Sequence, residues 1–213
     1  MLTVKSNLAL ACALGALAGY VDGVGFIHLG GLFISFMSGN STRLGVSLAA
    51  ADWPNAGQAI LLIVLFVAGA ASGSLIVLGR GRHRQVVLLV VEAALLASAA
   101  LAYDYALPNL AIAAIVLAMG LENAVFQIDG GAGLGLTYVT GALVKVGQLL
   151  AAAVTGGPRW QWLPNLLLWA ALVTGALIGA LAYRHLNLGA VWFAAATALV
   201  LAAAVAATAK RQD

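Results

Sequence analysis

Eight apolar stretches of about 18–25 residues follow one another along this chain, and they limit its fold more than any other feature. Such a stretch is long enough to cross the roughly 30 Å hydrocarbon core of a bilayer as an α-helix. Helices are expected because a lone strand in lipid leaves its backbone groups without hydrogen-bond partners. The stretches are 7–28, 31–51, 58–79, 86–103, 109–128, 132–156, 165–183 and 189–208. We therefore predict an all-α integral membrane protein.

Charged residues make up only 8% of the 213 residues, whereas 63% are hydrophobic, and this balance excludes a soluble domain. The length suits a single membrane domain over residues 1–213. The net charge of +3 is explained by Lys and Arg in cytoplasmic loops, so no nucleic-acid partner is expected. Cys12 is the single cysteine, which excludes an intramolecular disulfide and a multi-cysteine metal site.

The second half of the chain repeats features of the first half in the same order. Residues 36–45 and 138–147 share an aromatic residue, Ser or Thr, Gly, a basic residue and a second Gly. Further matches are Gly19 with Gly120, Asp22 with Asn123, Gly69 with Gly175 and Gly73 with Gly179. The offset is about 101 to 106 residues throughout, which predicts an internal duplication. Repeat one would cover about 7–105 and repeat two about 109–208.

The distribution of basic residues indicates how many stretches cross the membrane. If all eight cross, four basic residues lie on each side. If the first two stretches of each repeat make one net crossing, seven lie on one side and only Arg184 opposes them. The seven are Lys5, Arg80, Arg82, Arg84, Arg159, Lys210 and Arg211. Because basic residues concentrate on the cytoplasmic side, we predict six full spans and two repeats of opposite orientation.

The second stretch of each repeat is the candidate for a re-entrant or broken segment. In the first repeat, small polar residues at 38–42 interrupt an apolar run and are expected to break the helix there. Non-helical backbone is tolerated at membrane depth only where it is buried in protein or lines a cavity. We therefore predict a binding site near the midplane at the repeat interface, as in other transporters with inverted repeats.

Polar residues inside the predicted spans supply the candidate site, because ionisable side chains are costly in the membrane. A turn near residues 30–31 would bring Asp22 and the 38–42 break to a similar depth of roughly 12–15 Å. The candidate substrate-binding residues are Asp22, Ser38, Asn40, Thr42, Arg43, Glu122, Asn123, Thr140 and Lys145. Among them, Arg43 and Lys145 would attract an anionic group or neutralise the acids.

The same residues have structural interpretations. Asp22 with Arg43, and Glu122 with Lys145, could form ion pairs that only stabilise the fold. The two basic side chains could also extend to the membrane interface. Glu92 has no counterpart in the second half, so a structural or protonated carboxyl explains it as well as a proton relay does.

Two motifs carry a family resemblance. Residues 19–40, with GYVDGVGF and FISFMSGN, and residues 135–148, with GLTYVTG and KVGQ, resemble the bacterial membrane family named for YoaK, domain of unknown function 1275. The resemblance covers nearly the whole chain. It implies a multi-span inner-membrane protein, usually counted with about six spans, and it supplies neither a substrate nor a mechanism.

We expect a secondary transporter or permease for a small polar solute in the bacterial inner membrane, with no cofactor, no metal and no enzymatic activity. A packed interior without a cavity at Asp22 would instead favour a non-transporting membrane scaffold or assembly partner. A third alternative, an intramembrane hydrolase, would need His28 within reach of Ser38. The expected partners are the lipid bilayer and an unidentified small solute, and a homodimer is compatible with the sequence.

Overall fold

The computed structural model describes residues 4–79, 83–125 and 139–210, and every regular element within these ranges is helical. The α-helices are α1 Val4–His28, α2 Met37–Ala49, α3 Trp53–Gly79, α4 Arg84–Asp104, α5 Pro108–Glu122, α6 Val139–Val154, α7 Leu163–Leu186 and α8 Val191–Lys210. The prediction of an all-α membrane protein is therefore confirmed for the described part of the chain. Parts of the predictions lie outside it: the arginines at 80, 82 and 211, the start of the sixth apolar stretch, and residues 135–138 of the second motif.

The prediction of eight separate helical segments is wrong for the described residues, which form seven uninterrupted helical stretches. The 3-10 helix Asn187–Ala190 joins α7 directly to α8, so no loop separates the last two predicted segments. Asn187 has a φ of 51°, and this single residue redirects the chain between the two helices. Four stretches are long and apolar enough to cross a membrane, and they are Leu8–His28, Trp53–Gly79, Arg84–Asp104 and Leu163–Ala209. The other three, α2, α5 and α6, are shorter.

Helix α1 packs along α7, and their backbones approach closely because glycines line the contact. A Cβ atom at Gly19 would overlap the backbone of Leu172, and one at Gly23 would overlap that of Ala176. Residue numbers rise together along both helices, so α1 and α7 are parallel. Small residues at four-residue spacing allow such close packing, which stabilises helix pairs in lipid.

Helix α3 packs along α5 in the same manner. A Cβ atom at Gly69 would overlap the backbone of Leu117, and one at Gly73 would meet that of Leu121. From the other side, a Cβ atom at Gly120 would overlap the carbonyl oxygen of Phe66. These helices are therefore also parallel, although they lie on opposite sides of α4 in the chain.

Helices α4 and α8 pack against each other in opposite directions. The indole Nε1 of Trp192, at the start of α8, donates a hydrogen bond of 3.2 Å to Oδ2 of Asp104, at the end of α4. The Ala-rich faces of the two helices meet between these ends, with Ala99 and Ala198 both buried. The direction of α8 relative to α4 is thus fixed by a contact between their opposite termini.

The break in the first repeat lies earlier than its polar residues predict. Residues 29–36 are non-helical, and residues 38–42, the expected break, form the first turns of α2. The hydroxyls of Ser41 and Thr42 bond to the carbonyls of Met37 and Ser38 four residues before them, and a helix accommodates this arrangement. The chain turns instead at Gly30 and Gly31, whose φ angles of 61° and 102° suit glycine.

Candidate functional site

Asp22 holds the non-helical segment in place from inside α1. Its Oδ1 accepts hydrogen bonds from the backbone N–H groups of Ile34 at 2.8 Å and Ser35 at 2.7 Å. Its Oδ2 accepts a hydrogen bond of 2.5 Å from the Ser35 hydroxyl. Asp22 and Ser35 are both buried, so three donors that have no helical partner are satisfied by one carboxylate. This geometry gives Asp22 a structural role toward residues 29–36.

Asn40 holds the same segment from α2. Its side-chain oxygen accepts a hydrogen bond of 2.8 Å from the Phe33 N–H, and its Nδ2 donates one of 2.7 Å to the Phe33 carbonyl. Asn40 has no exposed surface. The amide therefore pairs with both backbone groups of one residue, as a neighbouring strand would. Asp22 and Asn40, which the sequence placed in one site, are joined through residues 33–35.

The other first-half candidates lie on the open side of α2. Ser38, Thr42 and Arg43 are exposed, and the Arg43 guanidinium donates a hydrogen bond of 3.1 Å to the Gly30 carbonyl. Thr42 and Arg43, but not Ser38, border a hollow of about 510 Å³ between α2, the 29–36 segment and the start of α3. Its polar lining comes from Thr42, Arg43, Ser47, Asp52 and Asn55. Asp22 and Asn40 are not among the lining residues, so the hollow and the buried polar cluster are separate features.

The second-half candidates do not form an equivalent cluster within the described residues. Glu122 is buried at the end of α5, and the Asn123 side chain beside it donates a hydrogen bond of 2.9 Å to the Met119 carbonyl. Thr140 and Lys145 are exposed on α6, which contains no buried residue and packs only on α7 among the described helices. The structure therefore places Glu122 in the core and Thr140 and Lys145 at the periphery.

Glu92 is the buried acid that the sequence analysis left out of the site. It lies on α4 with no exposed surface, and neither of its carboxyl oxygens has a hydrogen-bond partner among the described residues. Oε1 of Glu122, on the adjacent helix α5, is likewise buried without a partner. Glu92 and Asp22 both lie within electrostatic range of Glu122. An intramembrane carboxyl is a candidate functional residue whether or not the other repeat has a counterpart.

Asp22, Arg43 and His28, which the sequence suggested for an ion pair and a Ser–His arrangement, contact other groups in the structure. Asp22 bonds to Ile34 and Ser35, whereas Arg43 bonds to the Gly30 carbonyl. Nδ1 of His28 lies 3.0 Å from the Tyr183 hydroxyl, so the imidazole contacts α7.

These features define a multi-span helical membrane protein in which side chains clamp a non-helical segment between a long helix and a short one. The chain belongs to the family described as Protein of unknown function (DUF1275), which matches residues 10–204. The resemblance inferred from the motifs is thereby confirmed.

A UPF0700 transmembrane protein of Rhizobium meliloti is 39% identical over 198 residues, which cover 93% of this chain and 85% of the relative. The relative's name agrees with the membrane character of the fold. No solved structure matches the chain.

Proposed function

We propose that this protein is a secondary transporter or permease for a small polar solute, with a transport role and no catalytic one. The observation that carries the proposal is the non-helical segment 29–36, clamped by Asp22 and Asn40 beside an open polar hollow. Transporters bind solutes at such interrupted helices, where backbone groups are free of helical partners. The bacterial inner membrane is the proposed location, with the bilayer and the solute as partners.

The helix directions support the six-span, inverted-repeat arrangement that this proposal includes. Helix α4 is antiparallel to α8, whereas eight alternating crossings would make these two helices parallel. The short links on either side of α4 make it antiparallel to α3 and α5. The His28–Tyr183 and Tyr20–Ala190 contacts indicate that the chain turns back after α7, so α8 is antiparallel to α7. Because α1 is parallel to α7, helices α1 and α3 run in opposite directions, and α2 between them makes no net crossing. Each repeat then has three crossings, which reverses the second repeat.

The close contacts also support the duplication residue by residue. Gly19 contacts Leu172, and the matched Gly120 contacts Phe66. Phe66 and Leu172 are separated by the same offset as Gly69 and Gly175, so the two contacted residues also match. The matched glycines of α3 and α7 behave alike: Gly73 meets Leu121, and Gly179 meets Tyr20. Exchanging α1–α4 with α5–α8 therefore carries the α1–α7 contact onto the α3–α5 contact. An internal two-fold relation accounts for both interfaces at once.

The topology leads to a labelling prediction. In a Cys12→Ala background, we expect Asp52→Cys and Asn187→Cys to react with a membrane-impermeant maleimide outside intact spheroplasts. His83→Cys and Arg159→Cys should react only after lysis, because the basic side faces the cytoplasm. In the eight-crossing arrangement each position lies on the other side of the membrane, with position 52 cytoplasmic and position 83 external. Labelling of position 83 but not position 52 from outside would therefore restore that arrangement.

The transport proposal is tested by solute entry into vesicles that contain the purified protein. Stopped-flow light scattering would follow entry of a panel of small polar solutes, including glycerol, urea, glycine and acetate. We expect at least one solute to enter severalfold faster than into protein-free vesicles. Thr42→Leu, which narrows the polar hollow, should slow that entry. Thr197→Leu is the matched control, because Thr197 lines an apolar hollow between α1, α7 and α8.

A non-transporting scaffold is the second candidate, and one observation favours it. Both carboxylate oxygens of Asp22 are occupied by protein donors, and Asp22 does not line the polar hollow. A scaffold needs such an internal clamp but no solute path. Entry rates equal to those of empty vesicles for every solute in the panel, with folded protein present, would favour the scaffold.

A further inference from the structure

The buried carboxyls of Glu92 and Glu122 lie at matching depths on two antiparallel helices. Helices α4 and α5 form a hairpin, and Glu92 lies about 18 Å from its turn while Glu122 lies about 21 Å from it. At the open end of the hairpin, the Gln85 side chain donates a hydrogen bond of 3.2 Å to the Val125 carbonyl, which keeps the two helices in this register. The two carboxyls therefore lie at similar heights on two helices that pack against each other.

The surroundings of this pair are apolar. Leu88, Leu89, Leu96 and Met119 are fully buried around it, and the described residues leave both oxygens of Glu92 and Oε1 of Glu122 without hydrogen-bond partners. Two ionised carboxylates in this buried apolar environment would lose their hydration and repel each other, and both effects are unfavourable in free energy. A bound cation removes both penalties.

The chemistry of the interface favours a proton over a metal ion. A sodium ion in a transporter takes several oxygen ligands, commonly from unwound backbone. The backbone of α4 around Glu92 is helical, so its carbonyls are already hydrogen-bonded. At the end of α5, the carbonyls of residues 119–122 accept hydrogen bonds from Asn123, Ala124 and Val125, so they are also occupied. Among the described residues, no group of three or more His, Cys, Asp or Glu side chains could hold a metal ion. Two carboxyls suffice for one shared proton.

Few other titratable groups face this pair from the described helices packed around it. Helix α3 contains none, α8 carries only Lys210 at its end, and α1 contributes Asp22, whose carboxylate is committed to the 29–36 segment. The Tyr20 hydroxyl of α1 bonds to the Ala190 carbonyl.

We propose that Glu92 and Glu122 together form an exchangeable proton-binding site at the α4–α5 interface, and that this proton is the coupling ion of transport. The coupling role rests on the transport function proposed above, whereas the proton site does not. A proton taken from water on one side of the membrane converts one carboxylate to the acid. Its release to water on the other side restores the charge, so the cycle carries one positive charge with or against the solute.

Infrared spectroscopy of the full chain in lipid vesicles tests the proton site without any solute. At neutral pH we expect a C=O stretching band of a protonated carboxyl, which shifts in D2O because the proton exchanges with water. Glu92→Gln and Glu122→Gln should each weaken or remove the band. Asp104→Asn, an acid-to-amide change at the exposed end of α4, should leave it intact. A wild-type protein without the band, or with a band that neither variant affects or that D2O does not shift, would overturn the proposal.

A lumenal pH dye in the same vesicles tests the coupling. A solute that passes the entry assay should move protons with it in the wild-type protein and should cross without proton movement in Glu92→Gln. Solute entry without proton movement in the wild type would refute the coupling role alone. Absence of any solute entry would refute the transport function, and the infrared band would still decide whether the pair binds a proton.

Discussion

Replacement of Asp22 by Ala should destabilise the protein by about 3–6 kcal/mol, because three buried donors lose their acceptor at about 1–3 kcal/mol each, with partial relaxation. The donors are the N–H groups of Ile34 and Ser35 and the Ser35 hydroxyl. No water reaches them in place of the carboxylate, since Asp22 is only 9% exposed and Ile34 is fully buried. The free energy of unfolding in a mixed-detergent SDS titration measures the loss.

Asp22→Asn should cost less than Asp22→Ala. The amide oxygen can still accept from both N–H groups, and the amide nitrogen can donate to the Ser35 hydroxyl oxygen. The loss is then limited to the charge assistance and to the acceptor of the Ser35 O–H. Asp104→Ala is the control, because Asp104 is exposed and accepts a hydrogen bond from Trp192 at the end of α4. An Asp22→Ala protein that is as stable as Asp104→Ala would contradict the structural role of this carboxylate.

Replacement of Gly175 by Ala should force α1 and α7 apart and destabilise the protein by about 1–3 kcal/mol or more. The added Cβ atom would overlap the carbonyl oxygen of Ala16, and a helix backbone cannot rotate away as a flexible side chain can. Gly147→Ala in α6 is the matched control, since nothing lies within reach of its added Cβ atom. There the change should be neutral or stabilising by up to about 1 kcal/mol, because Ala is the better helix former.

A second substitution in the same experiment tests the α3–α5 interface. A Cβ atom at Gly120 would overlap the Phe66 carbonyl oxygen, so Gly120→Ala should also destabilise the protein. Thermal unfolding in detergent, monitored as the loss of the monodisperse elution peak, ranks the three variants by stability. Equal stability of Gly175→Ala and Gly147→Ala would show that the α1–α7 backbones are not in close contact.

The sequence predicted the class of fold well because lipid leaves so few alternatives. Apolar length predicted the helices, and the glycines of α1, α3, α5 and α7 that match between the two repeats lie at close helix contacts in the structure. Asp22 was correctly expected in the protein interior, since a carboxylate in lipid is too costly. These conclusions depend on the free-energy cost of placing polar groups in lipid and on the spacing of residues along the chain. Both can be judged from a single sequence.

The errors arose where two local signals competed or where the partner is distant in sequence. The polar run at 38–42 resembled a helix break, but its hydroxyls bond within the helix, and the glycine pair at 30–31 makes the turn. The Ile34 and Ser35 donors that bind Asp22 are backbone groups, which no side-chain pattern reveals. The proximity of Glu92 to Glu122 depends on the packing of α4 against α5, which the spacing of residues along the chain does not reveal.

The pairing of α1 with α7 has a consequence for how the chain is made. Five helices, α2 to α6, are synthesised between these two partners, so α1 enters the bilayer long before its glycine-lined face can be covered. Until α7 arrives, that face meets lipid or the insertion machinery, and α1 is held only by its own hydrophobicity. The docking of α1 against α7 is therefore a late, long-range step of assembly, and the α1–α7 interface cannot form until most of the chain has been made.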